Sequence, residues 1–169
     1  MSLLKAFLFS LLALVVSNIL LVIILYASFG QFDNVISLFT TGATTSLILH
    51  LFCSMGHAIW ISVDRIAYHI VNDNLFFIFF SLIVVISPLI AAIVAGRVGE
   101  KRIHSFLGVF LTSIVSMIVS MIIMFNSVPI QLAITSEFLG TGALFILVPG
   151  SLLNGLIFGF IAFFTTKRK

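Results

Sequence analysis

The sequence predicts an all-α protein, a polytopic bundle of transmembrane helices. Of its 169 residues, 62% are hydrophobic and only 8% are charged, whereas a soluble domain contains about 25% charged residues. The mean hydropathy is +1.35, so this chain could not cover a water-facing surface. Because one helical span needs about 20 apolar residues, the chain has room for about five or six spans. We expect no separate soluble domain.

Five apolar segments can be delimited, and four of them are convincing spans. The segments cover about residues 3–29, 35–63, 75–96, 103–125 and 138–164. The second segment is the exception, because its many Thr, Ser and His residues make its crossing of the bilayer doubtful. The first is expected to be a helix and not a signal peptide, since its apolar core of residues 6–27 exceeds the roughly 7–15 residues of a signal peptide.

The positive charges predict which side of the membrane each connection faces. Six of the eight Lys and Arg residues lie in the connection 97–102 and in residues 167–169. Because Lys and Arg collect in short cytoplasmic loops, we expect the connection 97–102 and the C-terminus to be cytoplasmic.

The side of the N-terminus depends on the second segment. If this segment spans, Lys5 falls on the side opposite the connection 97–102. If it re-enters the membrane or lies on its surface, four spans remain and Lys5 is cytoplasmic, which obeys the charge rule better. The first arrangement gives every apolar segment a span, and for that reason we favour it by a narrow margin.

Rows of small residues predict how the helices associate. In lipid, close approach through small side chains matters more than hiding apolar ones, and residues four apart share a helix face. The rows comprise Ala91 and Ala95 in the third segment, Gly108, Thr112, Ser116 and Ser120 in the fourth, and Gly155 and Gly159 in the fifth. They are expected to pack the chain's own bundle, and the alternative is that at least one row receives a helix from another membrane subunit.

Two prolines, Pro88 and Pro149, lie inside the third and fifth segments. A proline removes one backbone donor and clashes with the preceding turn, so we expect a kink at each. The carbonyl that loses its partner must be satisfied within the bilayer, and Ser87, Ser151 or Asn154 could supply that partner.

The strongest candidate for chemistry is a row of metal-ligating side chains on the second segment. His50, Cys53 and His57 are spaced i, i+3 and i+7, so a helix would place them on one face. Imidazole and thiolate bind zinc, copper and iron well, which makes a haem or transition-metal site one hypothesis. The favoured interpretation is a polar stripe facing a partner helix, water or the headgroups, since three ligands from one straight helix seldom complete a coordination shell.

Several function classes find no support. The chain contains no Gly-x-Ser-x-Gly, no His-Glu-x-x-His and no phosphate-binding glycine loop, so an enzyme is not predicted. No charged residue lies near the middle of the four convincing spans, which argues against a proton relay. No basic patch exists that would bind nucleic acid.

Three functions stay open. The favoured one is a small non-enzymatic membrane subunit or scaffold, whose partners are the lipid bilayer and other membrane subunits. The second is a carrier, channel or substrate-binding module for a small solute, which would be neutral or hydrophobic because buried charge is lacking. The third is a haem- or metal-binding redox subunit that uses His50, Cys53 and His57.

Overall fold

Four long helices make up the part of the chain that the computed structural model describes, which is residues 2–33, 35–36, 52, 55, 66–126 and 142–167. They are α1 (Ser2–Ser28), α2 (Leu75–Val98), α3 (Arg102–Asn126) and α4 (Gly142–Thr165). Each is long and apolar enough to cross a bilayer, and no strand occurs in these ranges. The predicted all-α, multi-pass membrane bundle is confirmed.

Short backbone motifs set two of the helix ends. After α1, Gly30 adopts a φ of 67°, in the left-handed region that glycine enters at little cost. The Gln31 N–H then donates to the Tyr26 carbonyl at 2.9 Å, which satisfies one of the carbonyls left free at the helix end. Before α2, the Asn74 side chain accepts from the Phe77 N–H and caps the first turn.

One end of the bundle joins the N-termini of α1 and α3 to the C-terminus of α4. Ser2 contacts the His104 ring through a hydrogen bond, and the Thr166 hydroxyl donates to Ser105 at 2.8 Å. Helices α1 and α3 therefore run parallel, and α4 runs antiparallel to both.

Helix α2 is antiparallel to α1 and parallel to α4. A Cβ added at Gly96, near its C-terminus, would lie 2.8 Å from the Ala162 carbonyl oxygen near the end of α4. At the other end of α2, the Phe76 ring packs edge-on against Tyr26 at 5.1 Å and against Phe29 at 5.5 Å. The C-terminus of α1 and the N-terminus of α2 therefore meet at the same end of the bundle.

The two ends of the bundle differ in charge. All Lys and Arg residues of the described part lie at the end with the α1 and α3 N-termini, here called the basic end: Lys5, Arg97, Lys101, Arg102 and Lys167. Of the described carboxylates, Glu100 is also at this end. Asp33 and Asp73 lie at the opposite end, here called the acidic end.

The segment 35–63 lies almost entirely outside the described residues, but the directions of the described helices disagree with the five-span arrangement that we favoured from apolarity. Lys5 lies at the same end as the connection 97–102, whereas five spans would separate them. Helix α1 ends and α2 begins at the acidic end. The length of an apolar segment indicates that it avoids water, but it does not indicate on which side of the membrane the segment ends. Here the distribution of positive charge predicted the side of Lys5 better than apolar length did.

The α1–α3 interface depends on Gly108. A Cβ added there would lie 2.9 Å from the backbone of Ala6 and 2.9 Å from the Phe7 nitrogen, so a larger residue could not be accommodated without moving the helices apart. Ala6 itself is fully buried. The row that begins at Gly108 thus packs against the chain's own first helix.

The other small-residue rows also face helices of the same chain. Added Cβ atoms at Gly155 and Gly159 would lie 2.9 Å from the rings of Phe110 and Phe106 on α3. Ala91 and Ala95 of α2 are fully buried in a core cluster that includes residues of α1, α3 and α4. In the described helices, each predicted row therefore lies inside the bundle.

We expect Gly108→Leu to lower the free energy of unfolding by about 1–3 kcal/mol, the usual effect of overpacking. Leucine has a higher helix propensity than glycine. A net loss of stability would therefore come from the disrupted α1–α3 contact. The measurement is unfolding in detergent micelles by added dodecyl sulfate, followed by circular dichroism. Leu111→Phe, which adds volume on an exposed position of α3, is the control, and equal stability of both variants would contradict the packing role of Gly108.

Candidate functional site

The described interior of the bundle combines apolar side chains with many polar but uncharged ones. Each of the four helices contributes buried hydroxyl or amide side chains: Ser10, Ser17 and Asn18 in α1, Ser81 and Ser87 in α2, Ser105, Thr112, Ser113, Ser116 and Ser120 in α3, and Ser151 and Asn154 in α4. Among the described residues, no Asp, Glu, Lys or Arg is buried to the same degree. The described interior can therefore form hydrogen bonds but cannot form ion pairs.

Some of these hydroxyls are satisfied by backbone carbonyls. Thr112 donates to the Gly108 carbonyl one turn earlier at 3.0 Å, the usual arrangement for a hydroxyl in a helix. Ser113 instead donates to the Ser151 carbonyl across the α3–α4 interface. In a bilayer such bonds replace the water that would otherwise solvate the group.

Four of the described buried hydroxyls have no hydrogen-bond partner. They are Ser10, Ser87, Ser116 and Ser120, here called the unpaired serines, and none is more than 2% exposed. A buried hydroxyl without a partner costs about 1–3 kcal/mol by mutational measurements in proteins. A hydrogen-bonding molecule that reached these four hydroxyls would remove that cost.

The unpaired serines are distributed along the bundle axis. Counted along their helices at about 1.5 Å per residue, Ser10 lies about 12 Å from the basic end, Ser87 about 17 Å, Ser116 about 21 Å and Ser120 about 27 Å. Successive hydroxyls are thus about 4–6 Å apart in depth. The four hydroxyls are therefore staggered in depth through the middle of the described bundle.

Ser87 does not have the role that we predicted for it. Pro88 lies within the continuous helix α2 and leaves the Val84 carbonyl without its usual donor. The Ser87 hydroxyl was one of three groups that could have supplied a partner, but it makes no hydrogen bond. The prediction was wrong for Ser87.

Asn154 in the middle of α4 binds a residue of the second apolar segment. Its side-chain nitrogen donates to the Met55 carbonyl at 3.2 Å. Asn154 is 1% exposed and Met55 is fully buried, in the same core cluster as Leu14 and Val109. Sequence spacing could not reveal this contact, because the two residues are 99 positions apart.

The predicted metal ligands His50, Cys53 and His57 lie outside the described residues. Within the described ranges, no group of three or more His, Cys, Asp or Glu side chains is arranged to hold a metal ion. The haem or transition-metal hypothesis for the second segment stays a prediction.

A second polar cluster lies at the basic end. The Arg102 guanidinium stands 5.3 Å from the centre of the Phe163 ring, a cation–π distance, and its Nε is buried without a hydrogen-bond partner. The His104 ring already forms a hydrogen bond with the Ser2 hydroxyl. Basic side chains at the ends of transmembrane helices are the kind that contact lipid headgroups.

Ser113 and Ser116, on the same helix, provide a matched test of the unpaired serines. Ser113→Ala removes a bond between α3 and α4, so the free energy of unfolding should fall by about 0.5–1.5 kcal/mol. Ser116→Ala removes a buried hydroxyl that has no partner, so stability should be unchanged or higher. Dodecyl sulfate titration of the purified protein measures both. A larger loss for Ser116→Ala than for Ser113→Ala would show that Ser116 is not unpaired.

The comparisons with known proteins identify no family. No protein-family model, no curated protein and no solved structure matches the chain. The function must therefore be argued from the residues and their arrangement.

Proposed function

We propose that the chain is a membrane module that binds, and passes across the bilayer, a small neutral solute with hydrogen-bonding groups. The single observation that supports this is the series of unpaired serines in the interior. A solute that donates to and accepts from these hydroxyls would remove the cost of burying them. Passage through a membrane protein is selected by the donors and acceptors that line the route and by its width.

The solute class follows from the interior chemistry. Hydroxyl groups both donate and accept, so they match molecules such as water, urea or glycerol. A charged solute would need an opposite charge within the bundle, and the described interior contains none. A purely apolar solute would leave the unpaired serines as they are and gain nothing from them.

Access to the serines requires the helices to separate. Ser10, Ser87 and Ser116 are 0% exposed, so the described bundle is closed around them. Carriers open such interiors to one side at a time, often at interrupted helices. Pro88 lies next to Ser87 and lowers the number of backbone bonds that hold α2 straight, which makes this part of α2 the natural place to bend.

A non-enzymatic subunit of a larger membrane complex is the alternative. One argument for it was that a row of small residues could receive a helix from another subunit, and this argument is weaker because Gly108, Gly155 and Gly159 meet helices of the same chain. The exposed faces of the described helices consist largely of Leu, Ile and Phe, which suits lipid and needs no protein partner. Neither function makes the chain an enzyme.

Proteoliposomes that contain the purified protein should take up water, urea or glycerol faster than protein-free liposomes. Uptake follows from light scattering after rapid mixing. The double variant Ser116→Ala/Ser120→Ala removes two of the hydrogen-bonding groups, and uptake of the preferred solute should fall about threefold to tenfold.

The control for this experiment is Ser28→Ala. Ser28 is exposed and bonds to the Ile24 carbonyl of its own turn, so its removal should leave uptake unchanged. If wild-type vesicles are no more permeable than protein-free ones to any of the three solutes, and none of them raises the thermal stability of the detergent-solubilised protein, the solute proposal is wrong. The subunit alternative would then be preferred.

For the orientation we propose that the basic end faces the cytoplasm. All described Lys and Arg residues lie there, and such residues are retained on the cytoplasmic side. In a Cys53→Ala background, Asp73→Cys should react with a membrane-impermeant maleimide on intact cells, whereas Glu100→Cys should react only after the membrane is opened. The reverse pattern would show that the bundle is inverted.

A further inference from the structure

At the basic end, the seam between α3 and α4 carries an arginine whose charge lacks an acidic partner. The Arg102 guanidinium lies over the Phe163 ring, 5.3 Å from its centre, and its Nε is buried without a hydrogen-bond partner. In the described part of the chain no carboxylate pairs with it. The one described carboxylate at this end, Glu100, is exposed. A cation held in this way remains open to an anion from outside the chain.

Helix packing fixes the position of Arg102. Three side chains of α3, spaced four residues apart, each lie against one residue of a matching row on α4. The pairs are Phe110 with Gly155, Phe106 with Gly159, and Arg102 with Phe163. Residues four apart share a helix face, so the contacts that join the two helices also set the place of the guanidinium. Arg102 therefore ends a closely packed seam and does not lie on a free loop.

Further positive charge surrounds the guanidinium. Lys101 precedes it and Lys167 follows the end of α4, and both side chains are exposed. The Thr166 hydroxyl donates to Ser105 at 2.8 Å, which holds the chain next to Lys167 against the first turn of α3. That turn contains no acidic residue, and a helix N-terminus carries partial positive charge. This corner of the bundle is therefore suited to an anion.

The outer side of the same seam is apolar. The Phe160 ring packs against Phe106 at 5.3 Å and is still 52% exposed. Phe164, edge-on to Phe163 at 5.5 Å, is 72% exposed. Such rings gain by contact with hydrocarbon chains, which a soluble anion does not have. The ligand that matches both parts of this surface has an anionic head and hydrocarbon tails.

We propose that the basic end of the α3–α4 seam binds an anionic phospholipid, whose phosphate bonds to Arg102 and whose hydrocarbon chains lie against Phe160 and Phe164. A guanidinium presents paired N–H groups that match two oxygens of a phosphate. Basic pockets between transmembrane helices bind anionic headgroups. The phosphate also supplies the charge partner that the described chain does not provide. This site lies on the outer surface of the bundle and is independent of any solute in the interior.

The first measurement is lipid retention by the purified full-length chain, followed by native mass spectrometry. The protein is released from detergent micelles that contain equal amounts of phosphatidylglycerol and phosphatidylcholine with the same acyl chains. We expect the chain to retain phosphatidylglycerol in preference to phosphatidylcholine. Equal retention of the two lipids would overturn the proposal.

Two variants separate a specific site from general attraction to negative charge. Arg102→Gln and Lys101→Gln remove the same charge from neighbouring positions. Arg102→Gln should lower the affinity for phosphatidylglycerol about tenfold or more, because a charge-assisted paired hydrogen bond is lost. Lys101→Gln should lower it about fivefold at most, the effect of one basic residue near an anionic surface. Equal losses would overturn the proposal.

A charge-preserving variant keeps this test independent of misfolding. Arg102→Lys retains the positive charge but has neither the paired N–H groups nor the flat face that lies over Phe163, so its affinity for phosphatidylglycerol should fall about threefold. Circular dichroism without added lipid checks that the variants are folded. Affinity equal to that of the wild type would show that charge alone suffices, and would overturn the role of the guanidinium.

Competition with inorganic phosphate identifies the source of the anion. Millimolar phosphate should not displace bound phosphatidylglycerol, because it makes no contact with Phe160 or Phe164. Displacement would identify a site for a soluble anion and would overturn the assignment to a lipid.

Discussion

The close approach of helix backbones through small side chains is the constraint on which the bundle depends. In lipid an apolar side chain gains little by leaving the solvent for a neighbouring helix, so association must come from van der Waals contact and hydrogen bonds. At Gly108 the backbones of α1 and α3 come so near that even one added carbon would lie 2.9 Å from Ala6. Gly155 and Gly159 have the same role between α4 and α3.

The polar interior follows from this way of packing. Serine is among the few side chains small enough for a close helix interface, and each serine adds a hydroxyl that the bilayer cannot solvate. The Ser113 hydroxyl donates a hydrogen bond to a carbonyl of the neighbouring helix, whereas the Ser116 hydroxyl has no partner. Packing alone would be served equally well by alanine at position 116, as Ala91 and Ala95 demonstrate in α2. The hydroxyls are therefore the part of the interior that packing does not explain.

The sequence allowed the helices and their packing faces to be predicted, because both depend on local patterns. Apolar length identifies α1 to α4, and four-residue spacing identifies the face of Gly108 and Thr112. The pairing of those faces could not be predicted, since it depends on contacts between distant residues. The spacing likewise did not distinguish the satisfied hydroxyl of Ser113 from the unpaired hydroxyl of Ser116, because the difference lies in what α4 presents to each.

The second segment illustrates the same limit for topology. Hydropathy favoured a span over residues 35–63, and Lys5 alone argued for the opposite arrangement. The single charge was the more informative signal, because moving a cation to the other side changes the whole orientation, whereas an apolar segment is equally satisfied by lipid and by the inside of a bundle.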